Sequence, residues 1–106
     1  MSDILLRLSN TIALRRNAEP ASSHTAALLN MGAAKCAEKF GEEAIEAIIE
    51  ATRGDRVALT REAADVVYHL LVMLASHNLT LADVMAELER REGTSGIAEK
   101  AARAKD

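Results

Sequence analysis

The stretch that decides the fold is residues 62–75, EAADVVYHLLVMLA. From position 66 onward it is apolar almost all round at helical spacing, and a helix without a polar face is buried. The same helix opens with Glu62, Asp65 and His69, which lie within about 60° of one another around its axis. Because an unpaired carboxylate inside a core costs several kcal/mol, these two acids predict a partner on a neighbouring helix.

The flanking sequence supplies the other helices. Apolar spacing predicts a first helix over 3–16, a second from near His24 that Asn30 and Gly32 break or kink, and its main stretch over 33–52. Pro20 and the serines after it suit a turn and an N-cap. The deciding helix is predicted over 56–77.

Asn78 is predicted to end the deciding helix, and Thr80 is predicted to cap a last helix, with Asp83 completing a capping box. No strand pattern and no internal repeat is visible, so we expect an all-α helical bundle of four to five helices. At 106 residues the chain is expected to form one domain over 1–106, with an N-terminal helix in 1–20 and a C-terminal tail over 92–106 that holds a short Ala/Lys/Glu/Arg segment.

Composition excludes several classes of protein. A net charge of −3, from 13 basic and 16 acidic residues, argues against a general nucleic-acid binder. Cys36 is the only cysteine, which excludes an intrachain disulfide and a multi-cysteine zinc site and fits a reducing compartment. The sequence shows neither a signal-peptide pattern nor an apolar run of about 18 residues. We therefore expect a soluble cytoplasmic protein that does not bind a membrane.

The helix before the deciding one carries its own acidic stripe. Around an arc of about 100° lie four acids and two lysines: Glu42, Glu43, Glu46, Glu50, Lys35 and Lys39. One interpretation is a solvated face on which Lys39 and Glu43 form an ordinary surface pair. The other is that the acids face those of the next helix.

Two carboxylate pairs then follow at i,i+3 spacing: Glu43 with Glu46, and Glu62 with Asp65. Each pair lies on one helix face, and packing the two faces together needs a hard cation between them. Mg²⁺ suits carboxylate oxygens, whereas zinc prefers cysteine or several histidines.

Other polar residues are open to two interpretations. His69 is either a substrate contact or a hydrogen-bonded core residue, and Tyr68 either anchors the core or reaches a phosphate. Lys35 and Lys39 are candidate phosphate contacts because they precede the acids on one stripe; otherwise they are solvent lysines.

The remaining candidates carry simpler expectations. Cys36 is expected to be a small buried hydrophobe rather than a nucleophile, since no histidine is placed to activate it. His24 and His77 fall at helix ends, where only a capping role is expected.

Three blocks of the sequence resemble the phosphoribosyl-ATP pyrophosphohydrolase family: KFGEEAIE at 39–46, GDR at 54–56 and EAADVVYHLL at 62–71. The resemblance extends to TAALL at 25–29 and SGIAEKA at 95–101. The bare carboxylate pairs are shared with the wider MazG-like nucleotide pyrophosphohydrolases. One departure is His24, where the family usually has tyrosine.

The resemblance implies Mg²⁺-dependent hydrolysis of 1-(5-phosphoribosyl)-ATP to the AMP compound and pyrophosphate, the second step of histidine biosynthesis. It implies metal ligation by Glu43, Glu46, Glu62 and Asp65, with Glu42, Glu43 and Glu46 as the catalytic acids and Glu42 as the candidate base. The implied substrate contacts are Lys35, Lys39, Arg56, Tyr68 and His69.

Two alternatives stay open at this point: a house-cleaning nucleoside triphosphate pyrophosphohydrolase of the same superfamily, and a non-enzymatic helical dimerisation module with solvated acids. Burial of Glu62 and Asp65 would argue against the module. Because four short helices can hardly cover the apolar stretch 66–75 within one chain, we expect a homodimer or a higher even oligomer, with the acids near the interface.

Overall fold

The computed structural model describes residues 3–93, and these form an all-α bundle without a strand among them. The helices are α1 (Ile4–Arg15), α2 (His24–Asn30), α3 (Ala33–Arg53), α4 (Arg56–Ala75) and α5 (Leu81–Arg90), with a short 3₁₀ turn at Pro20–Ser22 between α1 and α2. The all-α prediction is confirmed. The short segment predicted in the tail lies outside the described residues.

The long helices α3 and α4 form a helical hairpin. Gly54 adopts a left-handed conformation with φ 76°, and its N–H donates to the carbonyls of Glu50 and Ala51, which closes α3. One residue later the Asp55 carboxylate accepts from the N–H of Ala58 and caps α4. The two helices therefore run antiparallel, and residues equally distant from the turn lie side by side.

The shorter helices begin and end where their local chemistry indicates. Ser23 caps α2 by accepting from the N–H of Ala26. Gly32, at φ 97°, separates α2 from α3, so the predicted break is complete. The capping box of Thr80 and Asp83 at the start of α5 is confirmed. The predicted end of the deciding helix at position 77 is wrong by two residues, because α4 ends at Ala75 and the chain turns at Asn78 with φ 60°.

The hydrophobic core lies where α1 and α2 pack on the ends of the hairpin remote from its turn. It consists of Ile12, Leu28, Cys36, Leu71, Val72 and Ala75. Every residue of 66–75 is buried or half-buried within the single chain. The apolar stretch of α4 is thus covered better than its sequence predicted.

The exposed apolar surface lies instead on α3. Ile45, Ile48 and Ile49 are 59%, 64% and 50% exposed. These positions share one side of the helix, turned away from the side that carries the buried Cys36. Among residues 3–93, no helix combines the length and the apolar character that crossing a membrane requires.

Candidate metal and substrate site

Three carboxylates from the two arms of the hairpin meet in one group. Glu43 of α3 and Glu62 and Asp65 of α4 each place one oxygen within 4.8 Å of the others. The turn explains the meeting, since positions 43 and 65, like positions 46 and 62, are equally distant from Gly54. In this geometry Glu43 of the first predicted carboxylate pair lies against both acids of the second pair, as the sequence predicts for facing pairs.

The group is crowded with like charges. One oxygen of Glu43 and one of Glu62, Oε2 in each case, are buried without a hydrogen-bond partner in the described structure. Burial, followed by contact with Glu46, raises the pKa of Glu43 to about 7. Contact with Glu46, followed by burial, raises the pKa of Glu62. Burial and neighbouring carboxylates therefore favour the protonated forms of Glu43 and Glu62.

The acids differ in how deeply they lie. Glu62 and Glu43 are half-buried, but Asp65 is exposed, so its predicted burial is wrong for the single chain. Glu46 adjoins the three-carboxylate group and acts on the pKa of both Glu43 and Glu62. Glu50 lies outside it, with Oε1 3.4 Å from the guanidinium of Arg53.

The two lysines of the acidic stripe form ion pairs within α3. Lys39 Nζ lies 3.4 Å from Glu42 Oε2, so the surface pair considered between Lys39 and Glu43 is wrong. Lys35 Nζ lies 3.2 Å from Glu38 Oε2. The i,i+3 partner is preferred to the i,i+4 partner because Glu43 turns toward α4. These two lysines therefore do not neutralise the carboxylate group, whose excess negative charge can be balanced by a cation from solution.

Arg56, the remaining predicted cationic contact, is exposed at the first residue of α4. Glu62 lies six positions further along α4, which is roughly 9 Å along the helix axis at 1.5 Å per residue. Its reach toward the carboxylate group therefore depends on the extended guanidinium side chain.

His69 lies one helical turn beyond Asp65 and is only 8% exposed. Its Nδ1 is buried and has no hydrogen-bond partner in the described structure. Burial lowers the pKa of His69, and the nearby Asp65 opposes that shift. Nδ1 therefore lacks the hydrogen bond that the core interpretation of His69 expects, and the substrate-contact interpretation stays a prediction.

Tyr68 is fixed by a neighbour that the sequence did not single out. Its hydroxyl lies 2.6 Å from the Thr25 hydroxyl at the start of α2. The Tyr68 ring meets the His69 ring edge to face, with centroids 5.0 Å apart. It also lies parallel within 15° to the His24 ring, at a centroid separation of 6.4 Å. His24 therefore faces an aromatic partner in addition to starting a helix.

Cys36 is buried, as predicted for a small hydrophobic residue. It is 1% exposed, and its thiol donates to the Leu28 carbonyl at 3.2 Å. Burial raises the pKa of this thiol. It is a structural group, since a thiolate is disfavoured there. His77, just past α4, is exposed.

The donor set fits a hard divalent cation. Oxygen atoms bound to one ion at about 2.1 to 2.4 Å lie at most about 4 to 5 Å apart, which is the spacing that the three carboxylates already have. Such an ion would satisfy the buried, unpartnered oxygens of Glu43 and Glu62, whereas the third such oxygen, Glu50 Oε1, lies near Arg53 instead. Facing carboxylate pairs with a histidine and lysines one or two turns away can hold a metal and an anionic nucleotide.

Comparison with known proteins identifies the family. A family model described as phosphoribosyl-ATP pyrophosphohydrolase matches residues 5–92. The "Phosphoribosyl-ATP pyrophosphatase" of one Cereibacter sphaeroides strain is 70% identical over 100 residues, covering 94% of this chain and 97% of the relative. The protein of the same name from Dinoroseobacter shibae is 68% identical, with 94% and 98% coverage. That from Roseobacter denitrificans is 70% identical over 95 residues, with 90% of each chain covered.

Fold and carboxylates together define an all-α enzyme of the pyrophosphohydrolase class. Within that class, the chain belongs to the phosphoribosyl-ATP pyrophosphohydrolase family. The family predicted from the GEE and EAADVVYH blocks is confirmed. The alternative of a non-enzymatic dimerisation module is wrong.

Proposed function

We propose that the chain hydrolyses 1-(5-phosphoribosyl)-ATP to 1-(5-phosphoribosyl)-AMP and pyrophosphate, with Mg²⁺ held by Glu43, Glu46, Glu62 and Asp65. The observation that carries the metal site is the pair of buried, unpartnered carboxylate oxygens on Glu43 and Glu62. If these acids formed only a solvent-exposed stripe, their oxygens would be hydrated rather than buried without a partner.

The ion would neutralise the triphosphate, stabilise the pyrophosphate leaving group and orient or acidify a water. The chain's own residues supply the rest. Glu42 is exposed, precedes Glu43 on α3 and is the candidate to accept the proton of the attacking water, with Glu43 and Glu46 as the other candidate catalytic acids. Its ion pair with Lys39, at 3.4 Å, keeps this carboxylate on the lysine side of α3.

Substrate contacts follow from position along the hairpin. Lys39 and Lys35 lie one and two turns before Glu43 on α3, where they can reach the outer phosphates. Arg56 would approach from the turn side. His69 Nδ1 is the buried polar atom beside the metal group, and it would donate to or accept from the nucleotide. We place this reaction in the cytoplasm, since the single buried thiol of Cys36 fits a reducing compartment.

The exposed face of α3 supports a homodimer as the working form. Ile45, Ile48 and Ile49 form a contiguous apolar face that is at least half exposed, and Glu46 lies at its edge. A second copy that covers this face would also cover Glu46, which adjoins the carboxylate group. Light scattering at micromolar concentration is expected to show a dimer, and Ile48→Glu is expected to shift it toward monomer; a wild-type monomer would contradict the proposal.

Pyrophosphate release tests the function directly. With phosphoribosyl-ATP and Mg²⁺ we expect rapid release, with ATP in its place much slower release, and with excess chelator essentially none. The comparison with ATP also separates this function from that of a house-cleaning nucleoside triphosphate pyrophosphohydrolase. Equal turnover of ATP, or full turnover in chelator, would overturn the proposal.

A further inference from the structure

The start of α2 places an exposed histidine against the ring of Tyr68 on α4. His24 is the first residue of α2, and its ring is exposed. It lies parallel within 15° to the ring of Tyr68, at a centroid separation of 6.4 Å. Stacked aromatic rings have centroids roughly 4.5 to 7 Å apart, so this pair is at the wide end of the range. The two rings thus present parallel π faces, one of them open to solvent.

The ring pair is held in place from α4. The hydroxyl of Tyr68 is already engaged with that of Thr25 at 2.6 Å, which ties the N-terminal turn of α2 to the middle of α4. This bond makes the Tyr68 hydroxyl a poor candidate for reaching a phosphate, the role considered from the sequence. What remains available of Tyr68 and His24 is their ring faces.

A polar atom without a partner lies beside these rings. Tyr68 meets His69 edge to face at 5.0 Å, and His24 is close enough to His69 to affect its charge state. His69 is 8% exposed, and its Nδ1 is buried without a hydrogen-bond partner. Parallel aromatic faces next to a buried, unsatisfied nitrogen match a planar, nitrogen-rich ring.

The distance from the carboxylates suits a nucleotide. His69 lies four residues beyond Asp65, which is roughly 6 Å along α4. A nucleotide whose phosphates are held by the metal group has only its sugar between the first phosphate and the base. The base therefore reaches the level of His69, Tyr68 and His24.

From this juxtaposition we propose that the His24 and Tyr68 rings form the surface on which the purine base of the substrate stacks, with His69 Nδ1 hydrogen-bonding the base edge. The proposal rests on the proposed function for the identity of the nucleotide. It makes His24 a substrate-binding residue and gives Tyr68 a contact with the base rather than with phosphate.

The test compares ligands with and without a base on paired variants. In steady-state assays with phosphoribosyl-ATP, His24→Ala is expected to raise KM roughly tenfold, because loss of one base–aromatic stack typically costs that much, while kcat changes less than twofold. His24→Phe keeps a ring and is expected to restore KM. His77→Ala, which removes an exposed histidine beyond the end of α4, is the matched control and is expected to leave both constants unchanged.

Equilibrium binding separates stacking from phosphate contact. Titration calorimetry in Mg²⁺ is expected to show weaker ATP binding to His24→Ala than to wild type, and equal binding of inorganic tripolyphosphate to both. Unchanged ATP affinity in His24→Ala, or an equal loss for tripolyphosphate, would overturn the proposal. A wild-type protein that binds ATP through His24 but does not cleave phosphoribosyl-ATP would overturn the proposed function and keep the stacking surface. A melt of each variant shows that it is folded.

Discussion

The two halves of the α3–α4 hairpin are built from the same two helices, but one half is rich in carboxylates and the other is packed with apolar side chains. The turn half, from Glu43 through Asp65, packs carboxylates against carboxylates and leaves three of their buried oxygens without a hydrogen-bond partner. The docked half, formed by Cys36 and residues 69–75, is covered by α1 and α2 and contains the fully buried Val72. The proposed cation site can tolerate this crowding of like charges because the docked half supplies the packing that holds the two helices together.

The largest effect on stability is expected in the docked half. Leu71 is 3% exposed, and Leu71→Ala removes its packing and leaves a cavity, so the free energy of unfolding should fall by about 2 to 5 kcal/mol. Urea unfolding at one protein concentration measures this change. Leu14→Ala, at a site 79% exposed, is the control and should change stability by no more than about 0.5 kcal/mol. An equal loss of unfolding free energy in the two variants would contradict the view that the docked half supplies most of the stability.

The next effect belongs to the turn half and falls on activity. Glu62→Gln keeps the shape of the side chain but removes a charge from the group, and kcat/KM should fall about 100-fold or more, equivalent to about 2.7 kcal/mol. The metal-free variant should be as stable as wild type or more stable, since a crowded charge is gone. Glu89→Gln, on the exposed surface of α5, should change neither property. An active and destabilised Glu62→Gln protein would contradict the division of roles.

Metal and pH should act on the turn half together. The folded state raises the pKa of Glu43 from 4.5 to about 7, so the folded state holds a proton that the unfolded state releases over this range. The stability of the metal-free protein is therefore expected to fall as pH rises from about 4.5 to 7. If Mg²⁺ binds only the assembled, deprotonated group, as proposed, then at ten times its Kd it should add about 1.4 kcal/mol, fully above pH 7 and much less at pH 5.

Thermal melts with and without Mg²⁺ at the two pH values check this coupling. Leu71→Ala should lower every melting temperature and keep the Mg²⁺ shift, whereas Glu62→Gln should lose most of the shift. A shift that is independent of pH would show that the carboxylates do not bind the ion.

The smallest effect is expected at the capping box of α5. Thr80→Ala removes the side chain that accepts from the third residue of the helix, and stability should fall by about 1 kcal/mol. Because α5 lies away from the carboxylate group, activity and the Mg²⁺ shift should be unchanged. Guanidinium unfolding together with pyrophosphate release measures both quantities, and a loss of activity larger than the loss of stability would link α5 to the turn half.

Local signals in the sequence predict much of this molecule. The break at Gly32, the turn at Gly54 and the box of Thr80 and Asp83 depend on neighbouring residues alone, so they can be recognised without a structure. The facing of the carboxylate pairs follows from the periodicity of two long helices joined by a short turn.

Other features depend on packing between elements distant in sequence. The bond between Thr25 and Tyr68 spans 43 positions, and no local pattern encodes it. Helical periodicity predicts the face of α4 on which Asp65 lies. The exposure of its side chain depends instead on whether another helix packs over that face, which the periodicity does not show. Lys39 forms its ion pair with Glu42 rather than Glu43 because the Glu43 carboxylate lies against the acids of the neighbouring helix.

The buried thiol of Cys36 gives the docked half a natural reporter. It is the sole cysteine of the chain, it is 1% exposed, and burial raises its pKa. An alkylating reagent can reach it only when α2 lifts from α3, so the labelling rate at fixed pH measures how often that opening occurs. Ligands that tie α2 to α4 should slow the labelling, and the rate can be followed by mass without adding any probe to the protein.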